Sequence, residues 1–210
     1  MGKLIFLTVM VIFSLSLAIL PTAGYASKTD PLYTDDNDES WFHNLCHGNE
    51  KFAKLHFYVQ DLLKGENQTV YEVARANITS NSATSFGSVR VLDNPMTAGP
   101  DINSEAVGRF QGIVTAADLE ILSFSMNINF VFTSGRFRGS SISISGMNQV
   151  MNEQRELPVI GGTGAFRFAR GYVITTTYFS DPDMEHNVLE YTIYVTYVHQ
   201  SSMSSCRANI

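Results

Sequence analysis

The chain has 210 residues and a mass of 23.3 kDa, enough for one domain with a substantial core. Only 16% of its residues are charged against 44% hydrophobic, which excludes a disordered polyelectrolyte and a coiled coil. The net charge of -6 and the pI near 5.3 argue against a nucleic-acid partner, because phosphate recognition needs an excess of Lys and Arg.

In chain order, Lys3 precedes an apolar run from Leu4 to Leu20, followed by Pro21 and the small-residue pattern Ala23-Gly24-Tyr25-Ala26. Residues 1–26 therefore read as a secretory signal peptide. A run of that length also fits a single membrane anchor, but the early Pro21 and the small residues favour cleavage. The expected product is secreted and extracellular, with no membrane attachment once the leader is removed. Residues 27–50 carry Asp35, Asp36, Asp38 and Glu39 and read as an acidic, flexible arm. The folded domain is expected over 51–200, with 201–210 as a C-terminal tail.

Two features agree with secretion. Asn67-Gln-Thr69 and Asn77-Ile-Thr79 are acceptor tripeptides for N-glycosylation, and both fall in polar stretches. The two cysteines, Cys46 and Cys206, flank the strand-rich region; in an oxidising compartment they suggest a disulfide joining its ends, the alternative being two free thiols.

From Leu55 onward the dominant pattern is period two, the mark of strands with one buried face. Phe124, Met126, Ile128, Phe130 and Phe132 alternate with Ser123, Ser125, Asn127 and Asn129. Tyr191, Ile193, Val195 and Tyr197 repeat the pattern, as do Ile142 and Ile144 among serines. Turn clusters such as Asp93-Asn94-Pro95, Gly161-Gly162-Thr163-Gly164 and Asp181-Pro182-Asp183 separate the runs. About eight strands and no long helix predict an all-β fold, preferably an eight-stranded antiparallel β-barrel, since closure removes exposed edges.

Charge on apolar faces marks the candidate site. Asp61 is in phase with Leu55, Phe57 and Val59, and Asp93 is in phase with Val89 and Val91. An unbroken strand would align Arg170 with Phe166, Phe168 and Tyr172. Buried ionisable groups need partners or a tuned environment, so these three read either as the polar end of a cavity or as a structural ion pair, Asp61 with Arg170. Other chemistries lack their residues. His43, Cys46 and His47 have no second cluster to complete a metal site; the Gly161–Gly164 run lacks the lysine and helix of a phosphate loop; no G-x-S-x-G or redox-cofactor signature is present. No cofactor is expected.

The stretches Leu55-His-Phe57-Tyr-Val-Gln-Asp61, Phe86-Gly-Ser-Val-Arg-Val-Leu-Asp93-Asn-Pro95-Met-Thr97, Val107-Gly108-Arg109-Phe-Gln111-Gly112 and Pro158-Val-Ile-Gly161-Gly-Thr-Gly164-Ala-Phe166-Arg-Phe168-Ala-Arg170-Gly171-Tyr172 resemble the plant dirigent protein family, in that family's order, over about Lys54 to His199. The resemblance implies a barrel similar to allene oxide cyclase, a homotrimer, secretion to the apoplast or cell wall, and a small phenolic ligand. It also implies one of two kinds of work. The protein receives phenoxy radicals made by a separate laccase or peroxidase and imposes one stereoisomer on their coupling, as in lignan formation, or it removes water from an isoflavanol to close a pterocarpan ring. A protein that only binds phenolics or glycans is the third possibility. Asp61, Asp93 and Arg170 match family motif positions and are the implied catalytic residues. Lignan-forming members resemble each other in carrying an acid just after Gly-Gly-Thr-Gly, where this chain has Ala165, which implies the loss of a second pocket carboxylate.

Overall fold

A computed structural model describes residues 50–181 and 186–198. Nine strands follow one another: β1 (Glu50–Leu62), β2 (Val70–Ala74), β3 (Val89–Thr97), β4 (Ala106–Ala116), β5 (Ser123–Phe132), β6 (Ser141–Gln149), β7 (Gln154–Thr163), β8 (Arg170–Ser180) and β9 (His186–Val198). Each pairs antiparallel with its successor from β2 to β9, and β9 turns back to pair with β1 along its whole length. Contact between β1 and β3, Tyr58 with Thr97 and Val59 with Met96, closes the ring. Short β2 lies on the same edge of β3, opposite Val89–Leu92. Thus β1 and β2 share one place, and nine strands make the closed, eight-stranded antiparallel barrel that the spacing predicts.

Alternation decides which residues fill the barrel. On β5, Met126, Ile128, Phe130 and Phe132 are buried while Ser125 and Asn127 are exposed; on β9, Tyr191, Ile193, Val195 and Tyr197 are buried. The interior divides along its length. At one end Phe132, Phe137, Phe166 and Tyr197 pack with ring centroids 4.7 to 6.2 Å apart, two of them supplied by 3₁₀ turns at Gly135–Phe137 and Gly164–Phe166. Phe57, Phe110, Phe130 and Tyr191 form a second tier, centroids 5.2 to 6.3 Å apart. Such contacts add about 0.5 to 1.5 kcal/mol each beyond the area that they bury.

Of the Gly161–Gly164 run expected to form a tight connection, the first three residues belong to β7 and pair with β6; only Gly164, with φ +61°, leads the chain into the Gly164–Phe166 turn. At Gly171 the constraint is close approach, because an added Cβ would lie 1.9 Å from the Tyr194 carbonyl oxygen on β9. Gly171→Ala is expected to cost about 2 to 3 kcal/mol, read from urea unfolding midpoints. Gly65→Ala, with φ +87° but nothing within 4 Å of its added Cβ, is expected to cost about 1 kcal/mol.

Candidate functional site

Beyond the second aromatic tier the interior changes character. Asp61 follows Phe57 and Val59 along the inner face of β1, and its cross-strand partner on β9 is Asn187. Asn94, buried on β3, donates from Nδ2 to Asp61 Oδ1 at 2.8 Å, while its own Oδ1 accepts from Thr69 at 2.6 Å. Desolvation raises the Asp61 pKa above the usual aspartate value. Hydrogen bonds from Asn94 and Asn187 and the nearby Arg90 and His186 oppose that rise without cancelling it.

Four further polar residues come from four consecutive strands: Asn148 on β6, Arg155 on β7, Thr175 on β8 and Tyr191 on β9. All four are buried. Arg155 Nη1 donates to Thr177 Oγ1 at 3.0 Å and to the Asn152 carbonyl at 3.1 Å, which pins the turn between β6 and β7. Its Nε and Asn148 Oδ1 have no hydrogen-bond partner among the described residues, while the hydroxyls of Thr175 and Tyr191, cross-strand neighbours, interact with each other. Desolvation lowers the Arg155 pKa, yet a guanidinium so placed stays charged. No carboxylate of the described residues forms an ion pair with it. The interior therefore holds a carboxyl group that keeps its proton more tightly than an ordinary aspartate and a cation without a carboxylate partner among the described residues. That set can donate a proton and stabilise developing negative charge on an oxygen.

Two of the three residues expected on the inner wall lie outside. Asp93 is on the outer face of β3, its side chain 54% exposed, where its Oδ1 accepts from Arg109 Nε at 2.7 Å and from Gln111 Nε2 at 3.0 Å. The Arg109 hydrogen bond holds its carboxyl below the usual aspartate value. The inner face of β3 is Arg90, Leu92, Asn94 and Met96; its polar members disguise the alternation and lend Val89 and Val91 a false inward phase. Asp93 and Arg109, with Tyr71 and Val91, instead line an open outer cleft of about 370 Å³. Arg170 is also outside, 70% exposed and paired with Glu50 at 2.6 Å, so the expected Asp61–Arg170 ion pair is not formed. The strand that would have turned it inward is interrupted: Gly164–Phe166 is a 3₁₀ turn and Phe168 has φ +56°, which resets the phase before β8. Ala165 lies in that turn, packed against the aromatic end, so an acid there would stand far from Asp61.

Arg155, Thr175 and the Tyr191 hydroxyl escaped the sequence reading. Arg155 carried the necessary mark, since it is in phase with Leu157 and Val159. Asn67 and Asn77 are exposed, whereas Cys46, Cys206, His43 and His47 lie outside the described residues.

The family profile described as Dirigent-like protein matches residues 52–196. Dirigent protein 11 of Arabidopsis thaliana is 42% identical over 175 residues, covering 83% of this chain and 82% of its own length. Pterocarpan synthase 1 of Glycine max is 39% identical over 149 residues, covering 70% and 80%. Among solved structures, that of the pterocarpan synthase dirigent protein GePTS1 superposes with a TM-score of 0.69 at 38% identity, covering 72% of this chain and 93% of the other.

The raised Asp61 pKa makes a signed prediction. The folded protein holds this proton more tightly than the unfolded chain, so the associated stabilisation is complete below the unfolded carboxyl pKa of about 4 and is lost as pH rises through the higher folded value. Asp61→Asn keeps an acceptor for Asn94 without the buried charge. It is expected to melt above the wild type at about pH 7.5, with the gap closing towards about pH 4; a gap independent of pH would show that ionisation of Asp61 is not involved.

Proposed function

This chain belongs to the dirigent-like protein family, and from that premise we propose that it binds phenolic radicals or quinone methides at the polar end of its barrel and imposes stereoselectivity on phenylpropanoid coupling. Oxidation is supplied by a separate laccase or peroxidase. The observation that carries the reading is the Asp61 carboxyl, which desolvation makes hold its proton more tightly than an ordinary aspartate at the polar end of the interior, with the buried Arg155 cation on the same interior. A quinone methide suits that arrangement: its carbonyl oxygen gains negative charge as a nucleophile adds to the methide carbon, and a proton donor or cation beside that oxygen lowers the barrier. Stereoselectivity would follow from the aromatic tier, which gives a planar ring a fixed floor of Phe57, Phe110, Phe130 and Tyr191.

A second reading is favoured by the relatives named as pterocarpan synthases. In it the chain dehydrates an isoflavanol. The Asp61 carboxyl gives its proton to the leaving hydroxyl and the carbon–oxygen bond breaks. Electrons from the para phenolic oxygen complete the quinone methide as that phenol releases its proton to solvent. A second phenol oxygen then adds to the methide carbon and the ring oxygen regains a proton, while the adding phenol's own proton returns to Asp61, so that the net change is loss of one water.

Secretion and assembly belong to the same proposal. The leader at 1–26 and the exposed Asn67 and Asn77 support an extracellular, glycosylated product. Tyr71, Val91 and Ile113 form an adjacent row across the outer faces of β2, β3 and β4, 37 to 52% exposed, which is the kind of surface a homotrimer covers.

Chiral chromatography separates the two reactions. With a laccase and a panel of monolignols, added protein is expected to shift the enantiomeric ratio without changing the rate of oxidation; with isoflavanols and no oxidant, product formation would favour dehydration. In either assay Asp61→Asn is expected to lower the protein-dependent effect by about 10²-fold. An unchanged effect would remove Asp61 from the chemistry.

A further inference from the structure

Two amides hold Asp61, and a hydroxyl holds each amide. On one side Asn94 donates from Nδ2 to Asp61 Oδ1 at 2.8 Å, and its own Oδ1 accepts from Thr69 Oγ1 at 2.6 Å. On the other, Asn187, the cross-strand partner of Asp61, also donates to the carboxyl, and its Oδ1 accepts from Ser180 Oγ at 2.6 Å. An asparagine can face a neighbour with its N–H or with its oxygen, and its other hydrogen bond decides which. Thr69 favours the first arrangement. The Leu62 N–H already reaches its Oγ1 at 3.3 Å, and the Leu62 carbonyl, the alternative acceptor for the hydroxyl proton, lies 3.5 Å away. Both amides therefore turn N–H towards Asp61. An amide N–H cannot accept a proton, so a protonated Asp61 cannot give its O–H to either asparagine, and that O–H is left for whatever enters the barrel.

We propose that Thr69 is a positioning residue for the proton donor: it fixes Asn94 so that the acid's O–H points to the ligand and not to an amide oxygen. Ser180 does the same for Asn187 more weakly, because Ser180 is exposed and water can replace it, whereas Thr69 is half-buried between β1 and β2. The inference rests on the reading that Asp61 supplies the proton. Without the Thr69 hydroxyl, Asn94 is free to turn its oxygen to the acid and accept the O–H. That bond stabilises the neutral carboxyl, so the proton is held more tightly and aimed at the wrong partner. The charged and titratable groups around Asp61 are Arg90 on β3 and His186 and Tyr191 on β9, and the two hydroxyls add no charge to theirs. Thr69 is also the third residue of the Asn67-Gln-Thr69 tripeptide, so replacing it removes a hydroxyl from the site and a glycosylation acceptor together. Asn67→Gln separates the two effects.

Carbon-13 NMR titration of the Asp61 carboxyl, identified by its absence from Asp61→Asn, tests this in the mature protein. Thr69→Val is expected to bind the Asp61 proton about three- to tenfold more tightly than the wild type, the size of one hydrogen bond's net contribution. Thr69→Ser and Asn67→Gln are expected to match the wild type, and Ser180→Ala to fall between. An unchanged titration in Thr69→Val, or an equal shift in Asn67→Gln, would overturn the positioning. Activity gives a second readout, with the monolignol or isoflavanol whose conversion Asp61→Asn suppresses. Thr69→Val is expected to lower the protein-dependent effect about tenfold although more of its Asp61 is protonated, and Thr69→Ser to restore it. An effect that instead rises with the protonated fraction would show that the amides do not direct the proton. If Asp61→Asn suppresses neither conversion, the donor reading itself fails and this role falls with it, while the titration still shows whether Thr69 orients Asn94.

Discussion

Closure of the barrel between β1 and β3 is the contact on which the site depends. It is short, only Tyr58 with Thr97 and Val59 with Met96, because β2 occupies the rest of that edge of β3. One fully buried side chain reinforces it. Gln60 donates from Nε2 to Thr97 Oγ1 at 2.8 Å and to the Pro100 carbonyl at 3.2 Å, and its Oε1 lies 2.9 Å from His186 Nε2. A single amide thus joins β1, the segment after β3 and the start of β9. With the ring closed there, Asp61, the next residue of β1, comes within hydrogen-bond reach of Asn94. Were the ring open at this seam, Asp61 would face water and its pKa would have no reason to rise.

The two halves of the interior carry different burdens. Large rings fill the end around Phe137 and Phe166 and the second tier of Phe57, Phe110, Phe130 and Tyr191, as in an ordinary close-packed core. Beyond the second tier the wall includes Asn148 Oδ1 and Arg155 Nε, which have no partner among the described residues, each such atom costing about 1 to 3 kcal/mol. Concentrating apolar burial in the aromatic tiers lets the rest of the interior keep polar groups that add little to packing. Tyr191 stands at the border, its ring in one half and its hydroxyl in the other.

Strands with one consistent face were legible in the sequence. β5 and β9 have apolar residues every second position and polar ones between, so the barrel and most of its filling follow from period two alone. The same rule located Asp61, because Phe57 and Val59 fix the phase of β1. It misplaced Asp93 because the inner face of β3 is itself polar at Arg90 and Asn94. It misplaced Arg170 because a left-handed Phe168 and a 3₁₀ turn reset the phase over a stretch that looks continuous on paper. Tyr191 reads as core, and it is core; that its hydroxyl meets Thr175 in the same cross-strand row as Arg155 is a fact of three strands meeting, which no single stretch of sequence contains.

The separation of Asp61 from Arg155 is as important as the presence of both. A carboxylate in direct contact with a guanidinium is held ionised, its pKa driven down by the neighbouring charge, and cannot serve as an acid near neutral pH. Asp93 shows the effect on this protein's own surface, where Arg109 lowers its carboxyl. Asp61 instead accepts from neutral amides, and desolvation prevails over the lowering effect of the nearby Arg90 and His186. Arg155 is kept in place by a hydroxyl and backbone carbonyls, so its orientation requires no anion of its own. A barrel whose strands carry the two groups on β1 and β7, with β8 and β9 between them along the sheet, allows an acid and a cation to share one interior without neutralising each other. A ligand with a proton acceptor at one end and an oxygen gathering charge at the other can use both at once.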